Sequence, residues 1–316
     1  VHDHLTGALL GTATGDALGA GYEFTRPGPD TPIVMHDGGP FGFDTGEWTD
    51  DTAMALAVAQ AGAEHRLDTP AGLDAVARRF VDWYDTAPKD IGGQTFRVLS
   101  HRDHSGAAMT AHAEATGPDN AGNGSLMRTA AVPAALAHDT DPAAMLRAAR
   151  SVSALTHTGD DTHHACQIWS LAIWRAIRAA DGALPDLRDA AAVVIGDGAA
   201  RERWTRWIDA AEQQTAPEFE HDNGWVVSAL QTAWWGIHRT YSAADGDGAR
   251  HVRDALAEVI RAGHDTDTTA AIAGGLLGAM HGAAALPTEW TDLLFGWPGL
   301  DAAGIRALAD RLGRAG

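Results

Sequence analysis

Apolar residues recur every three or four positions through most of the chain, the spacing of helices that bury one face. Residues 51–66 (DTAMALAVAQAGAEHR), 71–85, 160–181, 224–241 and 249–263 all carry it. Runs that alternate Val, Ile, Thr or Tyr with polar residues are nearly absent, so half-buried strands are not expected. The pattern predicts an all-α protein, a compact bundle of roughly a dozen helices. Two stretches differ from the rest. In 11–24 (GTATGDALGAGYEF) and 264–282 (HDTDTTAAIAGGLLGAMHG) the apolar positions are mostly Ala and Gly. Small side chains let helices approach closely, and the first of these helices is expected to end near Gly19–Gly21. The Pro/Gly-rich stretch 25–47 reads as loop. Such stretches are too short and dispersed to be linkers, no repeat is visible, and 1–316 is read as one domain.

Composition narrows the class. The chain has 316 residues, 45% hydrophobic, enough for a sizeable core. Its formal net charge of -19 leaves no basic surplus to grip nucleic acid or an anionic membrane. Nucleic acid is therefore expected only as a modified substrate. The single cysteine, Cys166, excludes an internal disulfide and a thiolate zinc site. With no basic-then-apolar leader in the first residues and no apolar run long enough to span a bilayer, a cytoplasmic protein is expected. A chain of this size is compatible with a monomer.

Polar residues concentrate where helices are expected to start. In GEWTDDTAMALAVA (46–59), Thr49 is a plausible N-cap, with Asp50 and Asp51 in the first turn. In the 264–282 stretch, His264 or Asp265 caps a helix whose first turn holds Asp267 and Thr268. Acids there are favoured by the helix dipole by about 0.3–1 kcal/mol each, so capping alone accounts for either set. Gly122, Asn123, Gly124 and Ser125 precede a helix expected from Leu126; such a turn exposes backbone N–H groups that suit a phosphate or diphosphate, or simply caps. Asp16 sits mid-helix as a solvated or hydrogen-bonded polar residue, and Glu23 falls just past the helix end.

The combination tips the balance toward chemistry. Thr49-Asp50-Asp51 and Asp265-Thr266-Asp267-Thr268 each exceed what capping needs, since one side-chain oxygen satisfies one or two orphan amides. If both helix mouths open on one cavity, four carboxylates meet, with Glu23 a fifth. Unpaired, they would repel and resist desolvation; two divalent cations would offset most of the charge. Carboxylate and hydroxyl oxygens select a hard ion, Mg²⁺ or Mn²⁺. His264 is not expected to be a ligand.

GALLGTATGDALGAGYEF, GEWTDDTAMALA, GNGSLMRTAAV, SALTHTGDD and GHDTDTTAAIAGGLLGAMHG, in this order, resemble the ADP-ribosylglycohydrolase family. The resemblance implies an orthogonal helical bundle around a two-metal cleft, usually of Mg²⁺ or Mn²⁺. It implies Thr49, Asp50 and Asp51 as one ligand set and Asp265, Asp267 and Thr268 as the other. Glu23 matches a glutamate on a mobile loop, and Glu23, Asp51 and Asp267 are the catalytic candidates. Gly122, Asn123, Gly124 and Ser125 match the loop that holds the diphosphate of ADP-ribose, and His157 a residue lining the same cleft. Trp225 falls where relatives often stack a tyrosine on adenine; Asp119 lies where some arginine-specific members place an acid facing the guanidinium. The activity implied is hydrolysis of the glycosidic bond between ADP-ribose and an acceptor, foremost arginine on a protein, with serine-linked, nucleic-acid-linked and small conjugates as other acceptors. A module that binds ADP-ribose without cleaving it, a structural protein, and a two-metal phosphoesterase are the competing readings. The intact ligand positions disfavour the first two, and the lack of strands disfavours the third.

Overall fold

The computed structural model describes residues 1–117 and 121–315, the last by its backbone alone. Asp119 lies outside the described residues. Within them the chain forms fifteen α-helices and one two-stranded antiparallel ribbon, so the all-α reading holds.

Helix α1 (His2–Gly19) runs into a 3₁₀ turn (Ala20–Tyr22) and then the predicted loop. Next come α2 (Asp50–Gly62), α3 (Pro70–Tyr84), α4 (Gly93–Leu99) and α5 (Gly106–Ala115). A 3₁₀ turn (Asn123–Ser125) leads toward α6 (Ala131–Ala135), followed by α7 (Pro142–Ala154), α8 (Asp160–Ala179), α9 (Leu187–Ile195) and α10 (Ala199–Gln213). The chain closes with α11 (Val226–Tyr241), α12 (Gly248–Arg261), α13 (Thr266–His281), α14 (Thr288–Thr291), the strands β1 (Phe295–Gly296) and β2 (Leu300–Asp301), and α15 (Ala302–Ala315). The helices read from periodicity agree with these within a few residues at each end.

One expectation needs correction. No helix starts at Leu126; residues 126–130 are turns, and α6 begins only at Ala131. Pro133 has no N–H to give the Thr129 carbonyl, so a helix running back through this segment would lack that bond. Instead Val132 N bonds Thr129 O at 3.0 Å and Leu126 N bonds Asn123 O at 2.8 Å, both in three-residue turns.

The two small-residue stretches become the central pair of helices. From Leu5 to Gly19 every residue of α1 is buried, and α13 is buried from Thr266 to Met280. Helices without a polar face belong inside a bundle, where amphipathic helices such as α8, α11, α12 and α15 cover them. The two run antiparallel, backbone against backbone. A Cβ on Gly7, Gly11, Gly15 or Gly19 would collide with the carbonyl of Gly278, Gly274, Ala270 or Thr266 in turn. Trp169 on α8 fastens the pair from outside, its indole N–H donating to Ile272 O at 3.1 Å. Trp169, Trp204 and Trp234 are fully enclosed, which fits the default reading of tryptophan as core.

The antiparallel register decides where the chemistry falls. It sets the C-terminal end of α1, with Asp16 and Glu23, beside the N-terminal end of α13, with Asp265 and Asp267.

Candidate metal centre and ligand cleft

Asp16 joins a third segment to this end. Buried completely on α1, its carboxylate accepts from the backbone N–H of Thr49 (3.0 and 3.2 Å to its two oxygens) and of Thr52 (2.9 Å). A side chain of α1 therefore caps the first turn of α2 and fixes where Asp50 and Asp51 stand. Thr49, the expected cap, accepts from Asp51 N at 3.4 Å and gives its own hydroxyl proton to Asp51 Oδ2 at 2.9 Å. Thr268 reaches the same Asp51 oxygen at 3.4 Å. Asp265 occupies the N-cap position of α13 but makes no capping bond with its side chain. Its Oδ2 accepts instead from Asn123 Nδ2 at 2.7 Å.

The backbone after α1 is tied to the approach to α13. Phe24 N donates to His264 O at 2.6 Å and His264 N to Thr25 O at 3.2 Å. This pairing holds Glu23 over Asp265. Asn223 does the same for the glycine loop. It bridges Gly263 O (2.9 Å) and Asp265 N (3.1 Å) with its side chain, and its carbonyl accepts from Asn123 Nδ2 at 2.9 Å.

Carboxylate oxygens of Asp16, Asp51 and Asp267 lie within 4.8 Å of one another, as do those of Glu23, Asp265 and Asp267. Asp50 belongs to neither group and lines the cleft above them. Asp51 Oδ1 and Asp267 Oδ1 are buried without a hydrogen-bond partner among the described residues. Such oxygens are costly to leave bare, and two facing one small space are what a cation would satisfy. The donor set is all oxygen, which fits a hard divalent ion. The residues present therefore fit the expected metal.

Electrostatics agree. Burial and then mutual repulsion hold Asp50, Asp51 and Asp267 well above the usual carboxylate range. Burial likewise raises Asp265, opposed by its bond from Asn123. Asp16 is pushed up to about 6 by burial, against the bonds it accepts from α2. Glu23 is pushed up to about 8 by burial, then by Asp265, Asp90 and Asp16.

Above this floor opens a cavity of about 290 Å³. Glu23, Asp50, Asp265 and Thr268 line its base, and Gly122, Asn123, Gly124 and His157 one wall. Phe24 and Phe41 meet edge to face at its mouth, ring centroids 6.3 Å apart, with Asp90 nearby.

Several expected site residues sit differently from their reading. Ser125 is buried, and its hydroxyl meets Ser153 (3.0 Å) and Cys166 (3.4 Å) inside the core, so only its backbone is left for a ligand. Trp225 is half-buried at the N-cap of α11, edge to face with Trp207 and His221; Gly224, not Trp225, lines the cavity. Asp16, Asp90 and Asn223 were not among the expected residues. Asp16 is the most telling: of solvated or hydrogen-bonded, the second holds, since it is wholly enclosed and bonded to α2. An ionisable group in a segment otherwise made of Gly, Ala, Thr and Leu was the available signal.

A model of the family described as ADP-ribosylglycohydrolase matches residues 1–316. The chain belongs to the ADP-ribosylglycohydrolase family. Among its relatives, the ADP-ribosylarginine hydrolase Tri1 of Pseudomonas putida (strain GB-1) is 29% identical over 305 residues, covering 92% of this chain and 74% of that protein. The ADP-ribosyl-[dinitrogen reductase] glycohydrolase of Rhodospirillum rubrum is 29% identical over 301 residues, covering 93% and 91%. The ADP-ribosylhydrolase ARH3 of Homo sapiens is 26% identical, covering 93% and 90%. A solved structure titled "ADP-ribosylglycohydrolase-related protein complex" superposes with a TM-score of 0.72 at 26% identity, over 99% of this chain and 98% of that one. In this glycohydrolase, no helix among the described residues is long and apolar enough to cross a membrane.

Proposed function

We propose that this chain is a metal-dependent hydrolase that releases ADP-ribose from an acceptor, foremost the guanidine of an arginine on a protein. The observation that carries the reading is the convergence of Asp16, Asp51 and Asp267 with Glu23 and Asp265 beneath a cleft walled by the 122–125 loop. Bound divalent cations, Mg²⁺ or Mn²⁺, supply positive charge and Lewis acidity at these carboxylates.

The chain's own residues do the rest. The backbone of 122–125 cradles the diphosphate and His157 borders it, while Asp50 and Thr268 face the ribose at the cleft base. Asp51 and Asp267 hold the metal end rigid, because Asp16 and Thr49 fix α2 and the backbone seam fixes α13. Glu23 is placed to move the proton. Its carboxyl sits near 8 when the acids around it are unneutralised. Offsetting the neighbouring charge lowers it, while burial, the larger cause, still holds it above an ordinary carboxyl, so that one group can give a proton to a leaving nitrogen and take one from water. Negative charge around the sugar also favours the positive character that develops as a glycosidic bond breaks.

Two features support arginine as the acceptor. Phe24 is 67% exposed at the mouth, and together with Phe41 it offers aromatic faces to a planar cation. Asp90, pushed up to about 6 chiefly by burial, offers the matching carboxyl. The relatives named for arginine or for dinitrogen reductase point the same way.

Mass-resolved product analysis on a panel of arginine-, serine- and nucleic-acid-linked conjugates tests this. Intact ADP-ribose is expected, fastest from arginine, and lost after exhaustive chelation. Release of AMP, or full activity in chelator, would refute the reading.

A further inference from the structure

Behind the glycine loop lies an arginine with no role so far. Arg128 is completely buried, and burying a guanidinium costs several kcal/mol unless its N–H groups find acceptors. Nη1 donates to Gly124 O at 2.9 Å, and Nη2 to Val152 O at 3.2 Å and Thr156 Oγ1 at 2.6 Å. The ring of Phe80 lies 4.7 Å from its centre, while Nε has no partner among the described residues. Burial lowers its pKa only to about 10, so the charge persists at neutral pH.

The bond to Thr156 has a consequence one residue on. Thr156 Oγ1 also lies 2.8 Å from Nδ1 of His157, and among the described residues that hydroxyl meets no other group. An arginine can only donate. The Thr156 hydroxyl must therefore accept from Arg128; accepting from an Nδ1–H with its second lone pair as well would leave its own proton without an acceptor, so that proton goes to His157 Nδ1. Burial, then the nearby Arg128, keeps the imidazole neutral, its pKa pushed down to about 3. A neutral ring that accepts at Nδ1 must carry its proton on Nε2. That edge faces the cleft. A Cβ on Gly124 would come within 3.2 Å of Nε2 and one on Gly122 within 3.7 Å, and no acceptor among the described residues meets it.

We infer that Arg128 and Thr156 are positioning residues that lock His157 in its Nε2–H tautomer and present it as a neutral hydrogen-bond donor to an oxygen of the ligand held by the 122–125 loop. The identity of that ligand as the diphosphate of ADP-ribose rests on the proposed function; the relay itself does not. The donor is uncharged and cannot be lost by titration near neutral pH. An imidazole free to exchange tautomers would present a lone pair to phosphate oxygen part of the time.

Long-range ¹H–¹⁵N spectra of the full chain at neutral pH read the tautomer directly, with His157 assigned by its disappearance in His157→Gln. A pyrrole-type Nε2 and a pyridine-type Nδ1 are expected. Thr156→Val should weaken this preference and reduce ADP-ribose binding by calorimetry roughly three- to ten-fold, the worth of one hydrogen bond. Thr156→Ser should restore both. A proton on Nδ1 in the wild type, or an unchanged pattern in Thr156→Val, overturns the relay. ADP-ribose binding that leaves the Nε2 resonance unmoved overturns the donor role. A wild type that shows the Nε2–H tautomer but binds no ADP-ribose would refute the proposed function and leave the relay standing.

Discussion

The α1/α13 pair has two ends, and they treat buried polar groups in opposite ways. At the far end sit His4, His251 and His281. His251 uses both ring nitrogens, Nδ1 to His281 Nε2 at 2.8 Å and Nε2 to Ile237 O at 2.9 Å. His4 Nδ1 bonds Ala279 O at 2.9 Å. Burial lowers His251, and burial, then His251 and His4 beside it, lowers His281 to about 4. At the near end Asp51 and Asp267 each keep one oxygen bare, and like charges are packed together. At one end the buried His251 has both ring nitrogens bonded within the chain; at the other, two oxygens of one acidic cluster have no partner among the described residues. The difference shows how a buried polar group kept for chemistry differs from one kept for packing.

The sharpest way to break the comparison is to neutralise the near end. Asp51→Asn or Asp267→Asn should cut ADP-ribosyl release by more than about 100-fold, beyond what is typical even for groups that only support a ligand. The same variants should melt no lower than wild type in chelator at neutral pH, because one repelling charge is gone. A metal-free wild type more stable than both would show that the carboxylates do not repel.

Next in size is the seam that joins the two ends. Gly15→Ala places a methyl on the Ala270 carbonyl and should cost roughly 1–3 kcal/mol in denaturant unfolding, as overpacking does. It should also weaken the stabilisation that Mn²⁺ or Mg²⁺ confers, since Asp16 and Asp267 flank it. Gly28→Ala, whose Cβ meets only Thr31 Oγ1 at 3.6 Å, should change little. Equal effects from the two would dissolve the seam's role.

Acidity sharpens the contrast further. Carboxylates raised above their unfolded values favour the folded state fully below about pH 4, and that contribution is lost as pH rises through the folded values. With Asp16 and Asp90 near 6 and Glu23 near 8, the metal-free protein should lose stability from about pH 4 to pH 8. Divalent cation should flatten the slope, and melting curves with and without it are the measurement. The smallest effect belongs to the far end. His281→Gln should cost about 1 kcal/mol of stability through the lost bond to His251, with turnover per folded molecule unchanged.

Much of this was legible beforehand. Thr49-Asp50-Asp51 and Asp265-Asp267-Thr268 stood out because helix starts rarely need so much oxygen, and long apolar periods marked the helices that carry them. Whether Asp16 is solvated or hydrogen-bonded stayed open because a sequence shows position on a helix but not which neighbour covers it; its partners lie 33 and 36 residues away, at the start of α2. Asp90 and Asn223 escaped for the same reason, being ordinary loop residues until the fold brings them to the cleft. The missing helix at Leu126 depended on Pro133 and on turns that periodicity does not register. Trp225 was matched by position alone, and its ring neighbours Trp207 and His221 are apparent only in the fold.

The glycine seam leaves no cushion between its two backbones. Where leucines meet, a helix can slide and the side chains can refill the gap; where carbonyls meet alpha carbons, it cannot. The distance between the acids of the first helix and those of the thirteenth is thus set by main-chain geometry, which every amino acid shares. Room for change lies in the segments around the cleft, 90–95 and 122–124 among them, because the floor beneath them has nothing left to trim.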